Sequence, residues 1–344
     1  MSERRKYYGG VQGGGTQSDA VILDENGKLL SEAQGSCTNP WLVGFEGCVD
    51  NLNTLIADAK RNAGIPIDEP LETLGMALSG GEQTEAQEKI IKGLQGKYPN
   101  TSRHYCVRTD TFGSIATAFQ TGGMVLISGT GSNCELLNPD GRAHRCGGWG
   151  HVLGDEGSGF WIAHRAIKIV YDAEDGLVAP PYDITVVKKL VWEYFKIKQP
   201  FDILDSLYTN FKKSFIAKLC KELAEAARTS RDPLALHIFK AAGVVLGKHI
   251  KALLPKADQS LLTLPGGLHV LAVGSVLIHC WDLLKEGLLE ALTGSSISSI
   301  TIVKLEVSSA FGAAVLGSKA AGNVLNIDLS ANTSLLYSGS PGVM

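Results

Sequence analysis

The chain has 344 residues, 44% hydrophobic and 19% charged, with a net charge of −3. This is the composition of a globular protein with room for two substantial cores, and no basic run longer than Arg4-Arg5-Lys6 suggests a nucleic-acid face. Seven cysteines without Cys-x-x-Cys spacing argue against a disulfide framework or structural zinc, and no apolar stretch reaches about 18 residues, so a cytoplasmic protein without membrane contact is expected.

Residues 8–35 read as a three-stranded meander. Its first strand runs into Val11-Gln12-Gly13-Gly14-Gly15-Thr16, and Asn26-Gly27 marks a later hairpin turn. Leu52, Leu55, Ile56 and Ala59 recur at helical spacing and predict a helix over 53–63. A buried strand over 74–78 ends in Ser79-Gly80-Gly81, and a helix is expected over 84–95. The strand 105–108 runs into Thr109-Asp110-Thr111, followed by a helix over 115–119.

A second meander begins at Met124 and ends near Cys146. It contains Ser128-Gly129-Thr130-Gly131 and the turn Asp140-Gly141. A helix over 157–171 precedes the Pro180-Pro181 break, and 184–254 is almost wholly helical by periodicity. The strand 270–273 leads through Gly274-Ser275 into a helix over 277–292. A last strand over 300–305 and a last helix over 311–321 follow, and the tail from about 328 is polar and weakly patterned.

Thr16 to Gly27 and Thr130 to Gly141 are both 11 residues apart, so the two meanders are related. Glycine turns after apolar strands leave backbone N–H groups open to a phosphate, although a repeated structural hairpin explains the pattern equally well. Alternation of strands and helices after each meander predicts an α/β architecture of two related domains joined near residue 120.

The ordered motifs resemble the duplicated RNase H-like kinases and ATPases that include sugar kinases, actin and Hsp70. Residues 12–16 and 128–133 look like the two phosphate turns, and residues 109–118 and 308–314 like the two connecting segments. Val273-Gly274-Ser275 looks like the adenosine motif. Within that superfamily, Thr38-Asn39-Pro40-Trp41, Ser79-Gly80-Gly81 and the stretch from Cys146-Gly147-Gly148-Trp149-Gly150-His151 through Gly154-Asp155-Glu156-Gly157-Ser158 resemble the vertebrate-type N-acetylglucosamine kinases, of the BadF/BadG-like branch. The resemblance covers roughly residues 8–325. It implies two RNase H-like, actin-type ATPase domains with an interdomain cleft. Residues 1–120 would form the sugar side and 121–325, with a helical insert, the nucleotide side, leaving 326–344 as a tail. One departure stands out: the first turn usually opens with a carboxylate that helps hold hydrated Mg2+, and this chain has the uncharged Gln12.

Phosphoryl transfer depends on positioning and on charge stabilisation. Thr16 and Thr130 offer hydroxyls beside bare glycine backbone, and either could equally stabilise its turn. Asp110, between a strand and a helix, suits a helix N-cap. The resemblance makes it the catalytic base, accepting the proton of a sugar 6-hydroxyl. The resemblance also implies sugar contacts from Asn39, Trp41, Asp110, Ser132, Asn133, Gly148, Trp149, Gly150, His151, Val152 and Asp155. It implies nucleotide contacts from Gly14, Gly15, Thr16, Thr130, Lys218, Gly274, Ser275 and His279. Core packing is the competing reading for Trp41 and Trp149, an exposed helix position for His279. His151 has no ligand cluster at metal-binding spacing and reads as a packed, hydrogen-bonding histidine, and no protein metal site is expected.

The expected activity is ATP- and Mg2+-dependent phosphorylation of N-acetyl-D-glucosamine, or of a related N-acetyl hexosamine or muramyl compound, by a homodimer. A nucleotide-switched binding protein of the actin or Hsp70 type is the first rival. An acyl-CoA dehydratase activator would need paired cysteines for its iron–sulfur cluster, and none suited to that role occurs. A P-loop kinase is excluded, because no Gly-x-x-x-x-Gly-Lys-(Ser/Thr) run is present.

Overall fold

The computed structural model describes residues 5–14, 16–79, 83–323, 325 and 327–341. In chain order the first elements are β1 (Tyr8–Gly13), β2 (Gln17–Leu23), β3 (Leu29–Ser36), α1 (Pro40–Asn62), β4 (Leu71–Leu78), α2 (Thr84–Lys97), β5 (Ser102–Arg108) and α3 (Asp110–Ala118). Next come β6 (Gly123–Ser128), β7 (Ser132–Leu137), β8 (Ala143–Gly147), α4 (Gly159–Glu174), α5 (Thr185–Phe195), α6 (Lys213–Thr229), α7 (Pro233–Leu253) and the short α8 (Gln259–Leu262). The chain continues through β9 (Leu268–Val273), α9 (Ser275–His279), α10 (Trp281–Leu292), β10 (Ile300–Leu305), α11 (Ala310–Ala320) and β11 (Thr333–Gly339).

These elements form two compact units, one comprising residues up to Gly122 with Leu305–Ser334, the other Gly123–Lys304 with Leu335 onwards. The sheet of the first unit has the order β3-β2-β1-β4-β5. β1 is antiparallel to β2 and parallel to β4, and β4 is parallel to β5. The second sheet, read as β8-β7-β6-β9-β10-β11, repeats that order and adds one edge strand. Its β6 is likewise antiparallel to β7 and parallel to β9. Both units are therefore RNase H-like, an arrangement duplicated in actin-type ATPases and sugar kinases.

The helix α11 sits differently from the expected division at 120, which assigned everything from 121 to 325 to the second domain. It lies on the first sheet, with Tyr8, Val21 and Leu23 packed against Ala310, Phe311 and Ala314. Only glycine allows this approach, because a Cβ on Gly10 would stand 1.9 Å from the Ala310 carbonyl oxygen and one on Gly75 1.8 Å from that of Ala313. The opposite face of the same sheet buries Val11, Ile22, Leu74 and Met76 against Leu52, Leu55 and Ile56 of α1. In the second unit, α4, α6, α7 and α10 enclose one large core with β6 and β9.

Three further expectations change. The helix predicted over 53–63 begins at Pro40, with Gly44 at φ 75 interrupting its first turns. The helix predicted over 277–292 is divided at Cys280, whose φ/ψ of −115/21 is not helical. The tail carries a real strand, β11, at the sheet edge beside β10.

Candidate active site

In the first unit, the candidate groups gather where β1, β4 and β5 end. The Gly14 N–H donates to the Gln17 carbonyl at 3.1 Å and closes the turn after β1. Gly15 and the Gly80-Gly81 pair lie outside the described residues, and Thr16 is exposed. Ser79 ties three pieces together. Its N–H donates to the Gly13 carbonyl at 2.9 Å, and its hydroxyl donates to Asp110 Oδ2 at 2.8 Å. Asp110 is half-buried and is the first residue of α3 rather than its cap; Thr109 holds the cap position and makes no side-chain cap bond. The Asp110 Oδ1 atom accepts the Thr111 N–H at 2.9 Å.

Asn39 caps α1, its Oδ1 accepting the Trp41 N–H at 2.9 Å. Its neighbour Thr38 abuts the first turn, since a Cβ on Gly13 would meet Thr38 Oγ1 at 2.3 Å. Trp41 is 60% exposed, with its ring set edge-on to Phe45, so core packing does not explain it.

Gln12 has a charged companion that sequence reasoning missed. The register of the β1–β2 pair sets Gln12 opposite Asp19, so both side chains stand on one face of the sheet. Asp19 Oδ2 accepts the Ser308 hydroxyl at 3.3 Å. Among the described residues no group of three or more His, Cys, Asp and Glu could hold a metal. Mg2+ needs no such cluster, because it keeps most of its waters and takes one or two oxygen donors from protein. The Asp19 carboxylate and the Gln12 amide oxygen fit that requirement.

In the second unit, the Gly129–Thr130–Gly131 turn follows β6. Gly129 donates its N–H to the Gly131 carbonyl at 2.9 Å and accepts the Gly159 N–H at 2.8 Å. Asp155, only 3% exposed and at φ 64, accepts the Ser132 N–H on Oδ1 at 3.1 Å. Its Oδ2 pairs with Lys213 Nζ at 2.6 Å. The Ser132 hydroxyl turns inward to the Glu156 carbonyl at 2.7 Å. Asn133 Nδ2 donates to Glu135 at 3.1 Å, while the buried Asn133 Oδ1 has no partner among the described residues. An orphaned buried acceptor on the residue next to Ser132, whose N–H Asp155 accepts, is a place for a ligand donor.

The stretch 148–152 forms a turn with Gly148 at φ 76 and Gly150 at φ 78. Arg145 steadies it by donating to the Gly147 and Gly148 carbonyls at 2.9 and 2.6 Å, with its guanidinium 5.2 Å from the Trp149 ring centroid. Trp149 is 69% exposed and Val152 81%, so neither is core. His151 is packed, stacked on Phe211 and edge-on to Phe160, each with centroids 5.0 Å away.

Gly274, at φ 98, lets the turn before α9 touch the one after β6; a Cβ there would stand 2.4 Å from the Ser128 carbonyl oxygen. These two turns open onto a cavity of about 920 Å3 that brings Thr130, Lys218, Ser275 and His279 together. Arg228 also lines it and is fixed by two bonds to Asp282, at 2.8 and 2.6 Å. The Cys220 hydrogen bond and the Arg228 guanidinium hold the thiol of Cys280, on the cavity wall, below the ordinary thiol range.

A strand-order repeat with a glycine turn after the first strand of each unit, a carboxylate at Asp110 and a nucleotide-sized cavity defines a duplicated RNase H-like ATPase of the actin and sugar-kinase class. The chain belongs to the BadF/BadG/BcrA/BcrD ATPase family, whose model matches residues 10–317. It is 26% identical over 316 residues to an N-acetylmuramic acid/N-acetylglucosamine kinase of Clostridium acetobutylicum, covering 90% of this chain and 98% of that one. It is 27% identical over 276 residues to an N-acetyl-D-glucosamine kinase of Dictyostelium discoideum, covering 76% and 85%. A solved structure from Chromobacterium violaceum shares the fold with a TM-score of 0.66 at 24% identity, over 90% of this chain and 98% of that one. The ROK hexokinase from Thermus thermophilus does so with a TM-score of 0.56 at 16% identity, over 91% and 99%.

Proposed function

We propose that this protein transfers the terminal phosphoryl group of ATP to the 6-hydroxyl of N-acetyl-D-glucosamine, giving N-acetylglucosamine 6-phosphate for amino-sugar salvage. The observation that carries the reading is Asp110, a half-buried carboxylate aimed by the Ser79 hydroxyl and the Thr111 N–H. The names of the Clostridium and Dictyostelium relatives support the substrate class.

Asp110 takes the proton of the 6-hydroxyl as that oxygen attacks phosphorus. The glycine turns hold the phosphates through backbone N–H groups, with Thr16 and Thr130 adding hydroxyls. Lys218, Ser275 and His279 border the adenosine. Asn39, Asn133 and Asp155 supply hydrogen-bonding groups for the sugar, and Trp41 and Trp149 present apolar faces to it. Mg2+ would be held by Asp19 and Gln12, and when bound it neutralises charge on the phosphates.

The same reading makes the protein a homodimer, supported by the family resemblance alone, and a cytoplasmic one, supported by its cysteine pattern and its lack of a long apolar stretch; light scattering tests the assembly state. No helix among the described residues is long and apolar enough to cross a membrane. A coupled ADP-release screen over glucose, N-acetylglucosamine, N-acetylmannosamine and muramyl compounds tests the function. Fastest turnover on N-acetylglucosamine is expected. Preference for the muramyl compound, a substrate named in the Clostridium relative, would redirect the assignment to that sugar.

A further inference from the structure

Lys213 opens α6, and neither its spacing nor any motif draws attention to it. Its ammonium lies 2.6 Å from Asp155 Oδ2. Both groups crowd the turn assigned to phosphate: a Cβ on Gly131 would stand 2.6 Å from Asp155 Oδ1 and 3.1 Å from Lys213 Nζ. Asp155 is 3% exposed and spends Oδ1 on the Ser132 N–H, an amide of that same turn. A buried carboxylate therefore stands directly behind the backbone that would cradle a polyanion. Left uncompensated, it would repel the triphosphate, and at 3% exposure its charge is poorly screened by solvent.

We propose that Lys213 is the charge-compensating residue of this site, cancelling the Asp155 charge towards the phosphates of ATP while leaving the carboxylate as a hydrogen-bond acceptor for the sugar. The proposal rests on the kinase reading. It explains how an anionic sugar contact and a phosphate turn share the residues 131–133. Lys213 acts through Asp155 and is a positioning residue rather than a catalytic one.

The test is calorimetric binding of a non-hydrolysable ATP analogue with Mg2+ to sugar-free protein, with adenosine as an uncharged control. Lys213→Met should weaken analogue binding by about 10- to 100-fold, the scale of one unscreened charge near a phosphate. Asp155→Asn should tighten it by about threefold or more, because Lys213 then faces the phosphates unopposed. The double substitution should return to within about threefold of the starting affinity, and adenosine binding should be unmoved throughout. Should Lys213→Met fail to fold for want of a partner to buried Asp155, the Asp155→Asn and double variants still decide. Both single substitutions shifting affinity the same way, either one leaving it unchanged, or a double variant that stays weak would overturn the proposal. An unmodified protein that binds neither the analogue nor adenosine would instead remove the nucleotide reading beneath it.

Discussion

The hydroxyl of Ser79 donates to Asp110 Oδ2 at 2.8 Å while the Ser79 N–H donates to the Gly13 carbonyl, so one residue fixes both the carboxylate and the first glycine turn. Asp110→Asn keeps the shape and removes the basic oxygen. Turnover should fall by about two to four orders of magnitude with ADP affinity within about twofold. Ser79→Ala should lower kcat by about tenfold, the effect of one lost hydrogen bond to a charged group. Steady-state kinetics beside ADP calorimetry check both; near-normal turnover of Asp110→Asn would remove it from the mechanism.

Trp149 is 69% exposed, so Trp149→Ala should move Tm by no more than about 1 °C. The KM for the amino sugar should rise by about tenfold, as expected for an aromatic wall lost from a small-ligand site. A large fall in Tm with unchanged KM would make this ring structural.

A Cβ on Gly131 would stand 2.6 Å from Asp155 Oδ1 and 3.1 Å from Lys213 Nζ, so a side chain there forces the turn or that ion pair to shift. Gly131→Ala should disturb the turn and lower kcat/KM for ATP by about 100-fold while circular dichroism stays unchanged. Unaltered kinetics would show that the turn is remote from the chemistry.

Lys60 is 2% exposed and donates to the Ile67 and Asn100 carbonyls, at 3.3 and 3.0 Å. Burial pushes its ammonium down to about 8 from an ordinary 10.5. Between those values the unfolded chain holds a proton that the folded chain has released, so stability rises with pH across that window. The rise is on the order of 3 kcal/mol for this group. Urea unfolding of the parent and of Lys60→Met, compared from about pH 7.5 to 10.5, should show the gain in the parent and its loss in the variant. Parallel pH profiles would contradict it.

Both meanders are legible in the sequence because their strands alternate around Gly-rich and (Asn/Asp)-Gly turns. Asp110 and Asp155 are legible only through motif resemblance. The start of α1 is obscured because Gly44 breaks the apolar period, although Asn39-Pro40 carries a start signal. The placement of α11 on the first sheet depends on Gly10 and Gly75, whose role appears only when another backbone meets them. Asp19 could be found by pairing β1 with β2 through their intervening turn, a step of strand register rather than motif. Lys213 has no such signal, because its partner Asp155 lies far along the chain and they meet only through tertiary packing.

The most direct measurement follows ADP release and product together, using purified protein with ATP, Mg2+ and N-acetylglucosamine, and phosphorus NMR on the product. Sugar-dependent ADP release matched mole for mole by a 6-phosphate monoester is expected, with near-complete loss of both in Asp110→Asn. ADP release that ignores the sugar and yields inorganic phosphate would contradict it, and would describe a nucleotide-switched ATPase instead.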